Sequence, residues 1–241
     1  MELVFISVYN YGCMDMALNF LESLKRVNIK NHTSYVTDVE SFELLKSKNY
    51  KVELIFENKI NKEKNDFATK EFNNLSYLRY SIINKLLQEQ KYVWYLDIDT
   101  VVMGDLNEYF MNTILLSNDD IVFQNDVNMM CTGCMMFKPT PITIELTNFM
   151  YSQQNTNDND QIVFSNILTT STLPISISLL NINQFPNGLL YFSEPHPIDW
   201  VRNLQEEFKR SNEKVYFIHA NWMVGVDTKI SAFKKHNLWF I

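Results

Sequence analysis

Glycine and proline are scarce in this chain, five and six among 241 residues. Nothing in the composition therefore marks a linker, and no internal repeat divides the sequence. The expectation is one α/β domain over residues 1–241, long enough for one sizeable core. Cysteine is scarce too. Cys13, Cys131 and Cys134 make an odd count, which suits reduced thiols better than a disulfide scaffold. Cys131-Thr132-Gly133-Cys134 lacks a second Cys/His pair at zinc spacing, and a structural zinc site needs about four ligands. Basic residues are outnumbered, giving a net charge of −7, so a nucleic-acid partner is not expected. No stretch reaches the roughly 18 apolar residues of a membrane span. The opening Met1-Glu2-Leu3-Val4-Phe5-Ile6-Ser7 has neither a basic region nor a long apolar core, so the expected location is cytoplasmic.

What the chain does have is Tyr92-Val93-Trp94-Tyr95-Leu96-Asp97-Ile98-Asp99-Thr100-Val101-Val102, an apolar run without Gly or Pro. β-branched and aromatic residues at this density read as a strand buried on both faces, in the middle of a parallel sheet. Alternation along a strand sends Asp97 and Asp99 to one side and Ile98 to the other, so two carboxylates lie close together. Like charges this close share a proton or hold a hard cation, and oxygen ligands suit Mg2+ or Mn2+. Two solvated loop aspartates after a core strand would read the same way. Two enzyme chemistries also share the pattern: an Mg-dependent phosphatase of the haloacid-dehalogenase type with Asp97 as nucleophile, and a sugar-nucleotide glycosyltransferase. The phosphatase pattern usually comes early in a chain and is followed by an acidic pair after a strand. Here it comes late, and Asp119-Asp120 precedes the apolar Ile121-Val122-Phe123.

Along the chain, Glu2 to Val8 reads as a strand and Cys13 to Val27 as a helix, with Met14, Ala17, Leu18, Leu21 and Leu24 at helical spacing. Between them Tyr9, Asn10 and Tyr11 lie where an open α/β sheet places ligands, and either bind a base or pack the loop. Tyr35 to Thr37 and Lys51 to Glu57 read as strands around a short helix from Ser41 to Lys48. Asn58 to Asp66 is polar and charged and reads as a mobile loop or a lid. A helix from Glu71 to Gln90 buries Leu75, Leu78, Ile82, Ile83 and Leu86. Arg79 on that helix needs an anionic partner, which Asp97, Asp99 or a substrate phosphate would supply.

After the aspartates, Gly104-Asp105-Leu106 starts a short helix, and the strand Asp120 to Gln124 ends in Asn125-Asp126. A strand from Thr132 to Pro139 precedes a helix from Pro141 to Gln153. Asp160 is placed as the N-cap of a helix from Ile162 to Leu168. Pro174 to Ile182 and Leu189 to Phe192 read as strands around the turn Asn183 to Gly188. Lys214 to Asn221 reads as a strand ending in His219, a residue that at such a place is ordinarily structural.

Taken together, Tyr95-Leu96-Asp97-Ile98-Asp99, Thr132-Gly133, Asp160-Gln161, Phe185-Pro186-Asn187-Gly188, and His219-Ala220-Asn221 with Gly225, Lys229 and Trp239 resemble the nucleotide-diphospho-sugar transferase family. These are GT-A fold glycosyltransferases, with the bacterial lipopolysaccharide galactosyltransferases and the glycogenins among them. The resemblance runs from the first strand to the last residues. It implies a Rossmann-like domain with a mostly parallel central sheet flanked by helices. It implies transfer of a hexosyl or pentosyl group, with retention, from a UDP-sugar or other NDP-sugar to a hydroxyl of a glycan, glycoprotein or glycolipid acceptor. Matched by motif, Asp97, Asp99 and His219 would hold Mn2+ or Mg2+ on the diphosphate, and Gly225 and Lys229 would touch the leaving diphosphate. Arg79 would lie at the sugar or phosphate, Asp126 and Gly133 at the sugar, and Asp160 and Gln161 at the face of the anomeric carbon. Many relatives have Asn where this chain has Cys131, which bears on one sugar-hydroxyl contact. A third reading is a non-catalytic binder of sugar nucleotides.

Overall fold

The computed structural model describes residues 2–55, 70–127, 129–154, 156, 158–170 and 173–241; the polar stretch Asn58 to Asp66 lies outside them. The N-terminal apolar run forms β1 (Glu2–Tyr9) and passes through a short 3-10 turn into α1 (Met14–Arg26). β2 (His32–Val36), α2 (Val39–Ser47) and β3 (Val52–Leu54) follow, and the Asp38 carboxylate opens α2 by accepting from the Ser41 N–H at 2.8 Å. α3 (Lys70–Gln88) leads into β4 (Lys91–Leu96), then β5 (Thr100–Val102) and α4 (Leu106–Tyr109). β6 (Ile121–Asn125) and β7 (Met130–Phe137) precede α5 (Pro141–Ser152), where Thr140 and Thr143 form a reciprocal cap and Pro141 presets the first turn. The rest is α6 (Asp160–Thr170), β8 (Ile177–Leu179), α7 (Gly188–Tyr191), α8 (Asp199–Arg210), β9 (Phe217–His219) and α9 (Val226–Lys235).

Among the described residues seven strands form one sheet in the order β3-β2-β1-β4-β7-β6-β8. Neighbours pair in parallel except β7, which runs antiparallel to both β4 and β6. The sheet is therefore mixed but mostly parallel, with helices on both faces. β4 shows why its sequence carries no polar alternation. Trp94 and Leu96 enter the core layer shared with α1, while Val93 and Tyr95 enter the layer shared with α3 and α5. Each such side chain contributes on the order of 1.5–3 kcal/mol by leaving water. Among the described residues no helix is long and apolar enough to cross a membrane, and no disulfide forms.

Three expectations are corrected. The run Tyr92 to Val102 is two strands, because after Leu96 the chain turns at Ile98-Asp99 and Thr100–Val102 leaves the large sheet to pair antiparallel with β9. Apolar content could not reveal the break, since the chain stays buried on both sides of it. Leu189 to Phe192 is not a strand. The Asn187 side chain accepts from the Leu190 N–H at 3.0 Å and caps the short helix α7 there. The last expected strand, Lys214 to Asn221, is ordered as β9 only over Phe217–His219.

A buried histidine in β2 makes the fold acid-sensitive. The Ser7 hydroxyl donates to the Leu96 carbonyl at 2.6 Å, so it receives a hydrogen from His32 Nε2 at 3.2 Å. Burial, with help from Lys51, pushes the His32 pKa down to about 3. The unfolded chain, with a pKa near 6.5, therefore binds the extra proton between about pH 6.5 and 3, and stability falls as pH drops through that window. The expected outcome is that His32 removes about 2 kcal/mol of stability between pH 7.5 and 5. Urea denaturation of the wild type and His32→Gln at both pH values checks this: the pH dependence should shrink by that amount in the variant.

Candidate active site

Open α/β sheets collect ligands beyond the carboxyl ends of their parallel strands. Asn10 follows β1, Asp97 follows β4 and Asp126 follows β6, so these residues share one edge of the sheet. The Asp97 N–H donates to the Gly133 carbonyl at 2.7 Å. Gly133 sits in a bulge, for the pairing of β6 with β7 jumps from Phe123 opposite Met135 to Gln124 opposite Cys131. A side chain could not replace its hydrogen easily, because a Cβ there would stand 2.5 Å from both Asp97 Oδ2 and His219 Cε1. The small sheet completes the site. β5 pairs with β9 so that Thr100 lies opposite His219, and the Ala220 N–H donates to the Asp99 carbonyl at 2.8 Å. An antiparallel pair outside the main sheet, and not parallel packing within it, joins His219 to Asp99.

His219 Nε2 lies 3.1 Å from Asp99 Oδ1 and 3.9 Å from Asp97 Oδ2, and Lys229 Nζ donates to Asp99 Oδ2 at 2.5 Å. Asp99 and His219 are buried, while the Asp97 side chain is 35% exposed. Burial alone would raise both carboxyl pKa values. It prevails at Asp97, where Arg79 lowers the pKa but the nearby Asp99 charge raises it, so the net shift is upward. At Asp99 the opposing charges of Lys229 and His219 prevail and hold the carboxyl far below the usual carboxylate range. Burial works against charge on His219 and Lys229, yet Asp99 raises both above their ordinary values. Two carboxylates and an imidazole, each with a ligand atom within 4.8 Å of the others, form a donor set that fits a hard or borderline divalent ion.

Arg79 finds one of its expected partners, Asp97, and a nearer one that was not expected, Asp160. The arginine is 4% exposed, pairs through Nη2 with Asp160 and reaches Asp97 Oδ1 through Nη1 at 3.5 Å. The Tyr80 hydroxyl also donates to Asp160, at 2.7 Å, and the Tyr95 hydroxyl donates to Asp97 at 2.6 Å. Asp160 is therefore not the cap of α6; the Asn159 side chain accepts from the Gln161 N–H at 2.8 Å in that role. Gln161 itself accepts from the Thr132 N–H at 3.3 Å, at the start of the bulge.

The remaining expected residues divide. Tyr9 is buried in the core with its hydroxyl on Ser34, so its ring offers no face to a base, whereas Tyr11 is exposed and Asn10 is buried beside it. Asp126 Oδ1 receives donors from Asn187, Asn221 and the indole of Trp222, so that oxygen braces the protein and not a ligand. Gly225 starts α9 at φ 88°, a backbone that favours glycine, and Lys229 follows one helical turn later. Trp239 packs against the core beneath Lys234 and takes no part. Gln124, Tyr80 and Trp222 were not singled out from the sequence. The available signal was Gln124, a polar residue closing the apolar run Ile121-Val122-Phe123.

This architecture is shared with solved glycosyltransferases. The crystal structure of a glycosyltransferase involved in the glycosylation of the major capsid of PBCV-1 superposes with a TM-score of 0.57 at 12% identity, over 97% of this chain and 100% of that one. Mouse xyloside xylosyltransferase 1 in its apo form gives 0.52 at 13% identity, over 92% and 98%. At such identities the likeness concerns the fold, a GT-A glycosyltransferase fold. The sequence goes further: residues 28–233 match the nucleotide-diphospho-sugar transferase family, and the chain belongs to it. A UDP-D-xylose:L-fucose alpha-1,3-D-xylosyltransferase of Arabidopsis thaliana is 24% identical over 199 residues, covering 73% of this chain and 52% of that protein. The chain thus spans about half the length of the curated relatives it matches.

Gly133→Ala should force Asp97 and His219 apart. The expected cost is about 1–3 kcal/mol of stability, as for other overpacked sites. Chemical denaturation checks it, and an unchanged midpoint would mean that the bulge yields without moving either side chain.

Proposed function

We propose that the 241 residues act as one glycosyltransferase domain that moves a pentosyl or hexosyl group from a nucleoside-diphosphate sugar to an acceptor hydroxyl, with divalent-metal dependence and retention of configuration. The observation that carries this is the convergence of Asp97, Asp99, His219 and Lys229 in a chain of this family. Glycosyl transfer builds positive charge at the sugar carbon and negative charge on the departing diphosphate. Held by Asp97, Asp99 and His219, Mn2+ or Mg2+ would supply Lewis-acid neutralisation of that negative charge. Lys229, fixed on Asp99, brings an ammonium to the same place, on the helix that Gly225 starts. Arg79 and Tyr80 hold the Asp160 carboxylate in one orientation; with the amide of Gln161 it would face the developing cation. Asp126, Gly133 and the Asn10-Tyr11 loop would border the donor. The xylosyltransferase names among the relatives support a UDP-pentose as the first donor to try, with a glycan, glycoprotein or glycolipid as acceptor. The thiols of Cys131 and Cys134 support a reducing, cytoplasmic setting.

A panel of sugar nucleotides that includes UDP-xylose should reveal slow hydrolysis that requires Mn2+ or Mg2+ and no acceptor. Binding without any hydrolysis would leave a sugar-nucleotide binder instead. Asp97→Asn should lower the metal-dependent rate by about 100-fold or more with the circular dichroism spectrum unchanged, since it removes a ligand charge from a partly open side chain.

Gln161→Ala should reduce kcat by more than it weakens donor binding, because the amide faces charge that exists only in the transition state. Turnover measured against donor affinity by calorimetry tests the split; equal losses in both would make Gln161 a ground-state contact.

A further inference from the structure

Gln124 is fully buried at the bulge between β6 and β7. Its Nε2 donates to the carbonyls of Phe185 at 3.1 Å and Pro186 at 3.3 Å, two groups that only accept. The amide is thereby oriented, and Oε1 faces His219 Nδ1 at 2.7 Å. A carbonyl oxygen has no hydrogen to give, so Nδ1 carries a hydrogen whether the ring is charged or neutral. The other neighbour of that nitrogen, Cys131 Sγ, stands off at 3.7 Å. Nε2 is then the ring atom turned toward Asp99 and Asp97. The same Pro186 carbonyl accepts from the His219 N–H at 3.2 Å, so Gln124 and His219 grip one turn, by side chain and by backbone.

We propose that Gln124 is a positioning residue that fixes His219 in its Nδ1–H form and presents Nε2 as the atom that binds the divalent ion. This rests on reading Asp97, Asp99 and His219 as a cation site. Ring partners of metal-binding histidines are usually carboxylates, backbone carbonyls or water. A buried amide does the same work here without adding a third negative charge beside Asp97 and Asp99.

The test uses the 15N-labelled full chain and long-range 1H–15N spectra, with His219 assigned by comparison with His219→Asn. Nδ1 should be protonated in the wild type, both metal-free at alkaline pH and with Mg2+ bound. Gln124→Met keeps the length and loses both hydrogen-bonding groups, and should give mixed tautomers and raise the Mn2+ Kd by about 10–100-fold in calorimetry. Gln124→Glu restores an acceptor at Nδ1 and should hold the Nδ1–H form. A neutral His219 ring at alkaline pH that carries its hydrogen on Nε2 in the metal-free wild type overturns the proposal even if Gln124→Met does not fold. Mn2+ affinity unchanged in Gln124→Met also overturns it. Absent Mn2+ binding by the wild type, with Nδ1–H intact, overturns the cation site and not the orientation of the ring.

Discussion

Two carboxylates held together at the end of a buried strand impose the constraint on which this structure depends. Asp99 is almost wholly out of water and Asp97 largely so, and like charges in such a place are costly unless matched. The matching groups come from two distant parts of the chain: Arg79 from α3, and His219 from β9 with Lys229 from the next element, α9. Each of these side chains is buried or nearly so; His219 and Lys229 depend on Asp99, while Arg79 leans chiefly on Asp160. The cluster ties both core layers and the small sheet to the carboxyl edge of the main sheet.

Backbone irregularities make the arrangement possible. A regular pairing of β6 with β7 would leave no place for the extra residues around Gly133, whose missing side chain lets Asp97 and His219 approach one another. The turn at Ile98-Asp99 redirects the chain into a second sheet, and that sheet carries His219 to the carboxylates. Gly188 is similarly constrained, since a Cβ would lie 1.9 Å from the Asn221 carbonyl oxygen. With only five glycines in the chain, two of them stand at these close approaches.

Family membership and local geometry support each other at different levels. The family match and the solved relatives define the fold and the class. The side-chain network shows which residues of this chain hold others in place. Arg79, Tyr80 and Tyr95 orient carboxylates, and Asp126 braces the segment carrying Asn221 and Trp222. Trp222, 57% exposed and held in a left-handed backbone at φ 65°, stands at the rim of this network.

The sequence by itself determined the layered α/β fold, because apolar runs of strand length and helical stripes such as that of α3 can be buried in few other ways. It also supplied the members of the cluster: Asp97, Asp99, His219 and Lys229 stand in recognisable motifs. Tertiary structure alone decided how those residues meet. Periodicity reports which residues are buried but not where a buried chain bends, so the break after Leu96 and the antiparallel pairing of β9 were hidden in a continuous apolar run. Partnerships between side chains far apart in sequence, Gln124 with His219 or Asp160 with Arg79 and Tyr80, leave no local periodic trace. They exist because folding removes these groups from water and each must then find its hydrogen bond within the protein.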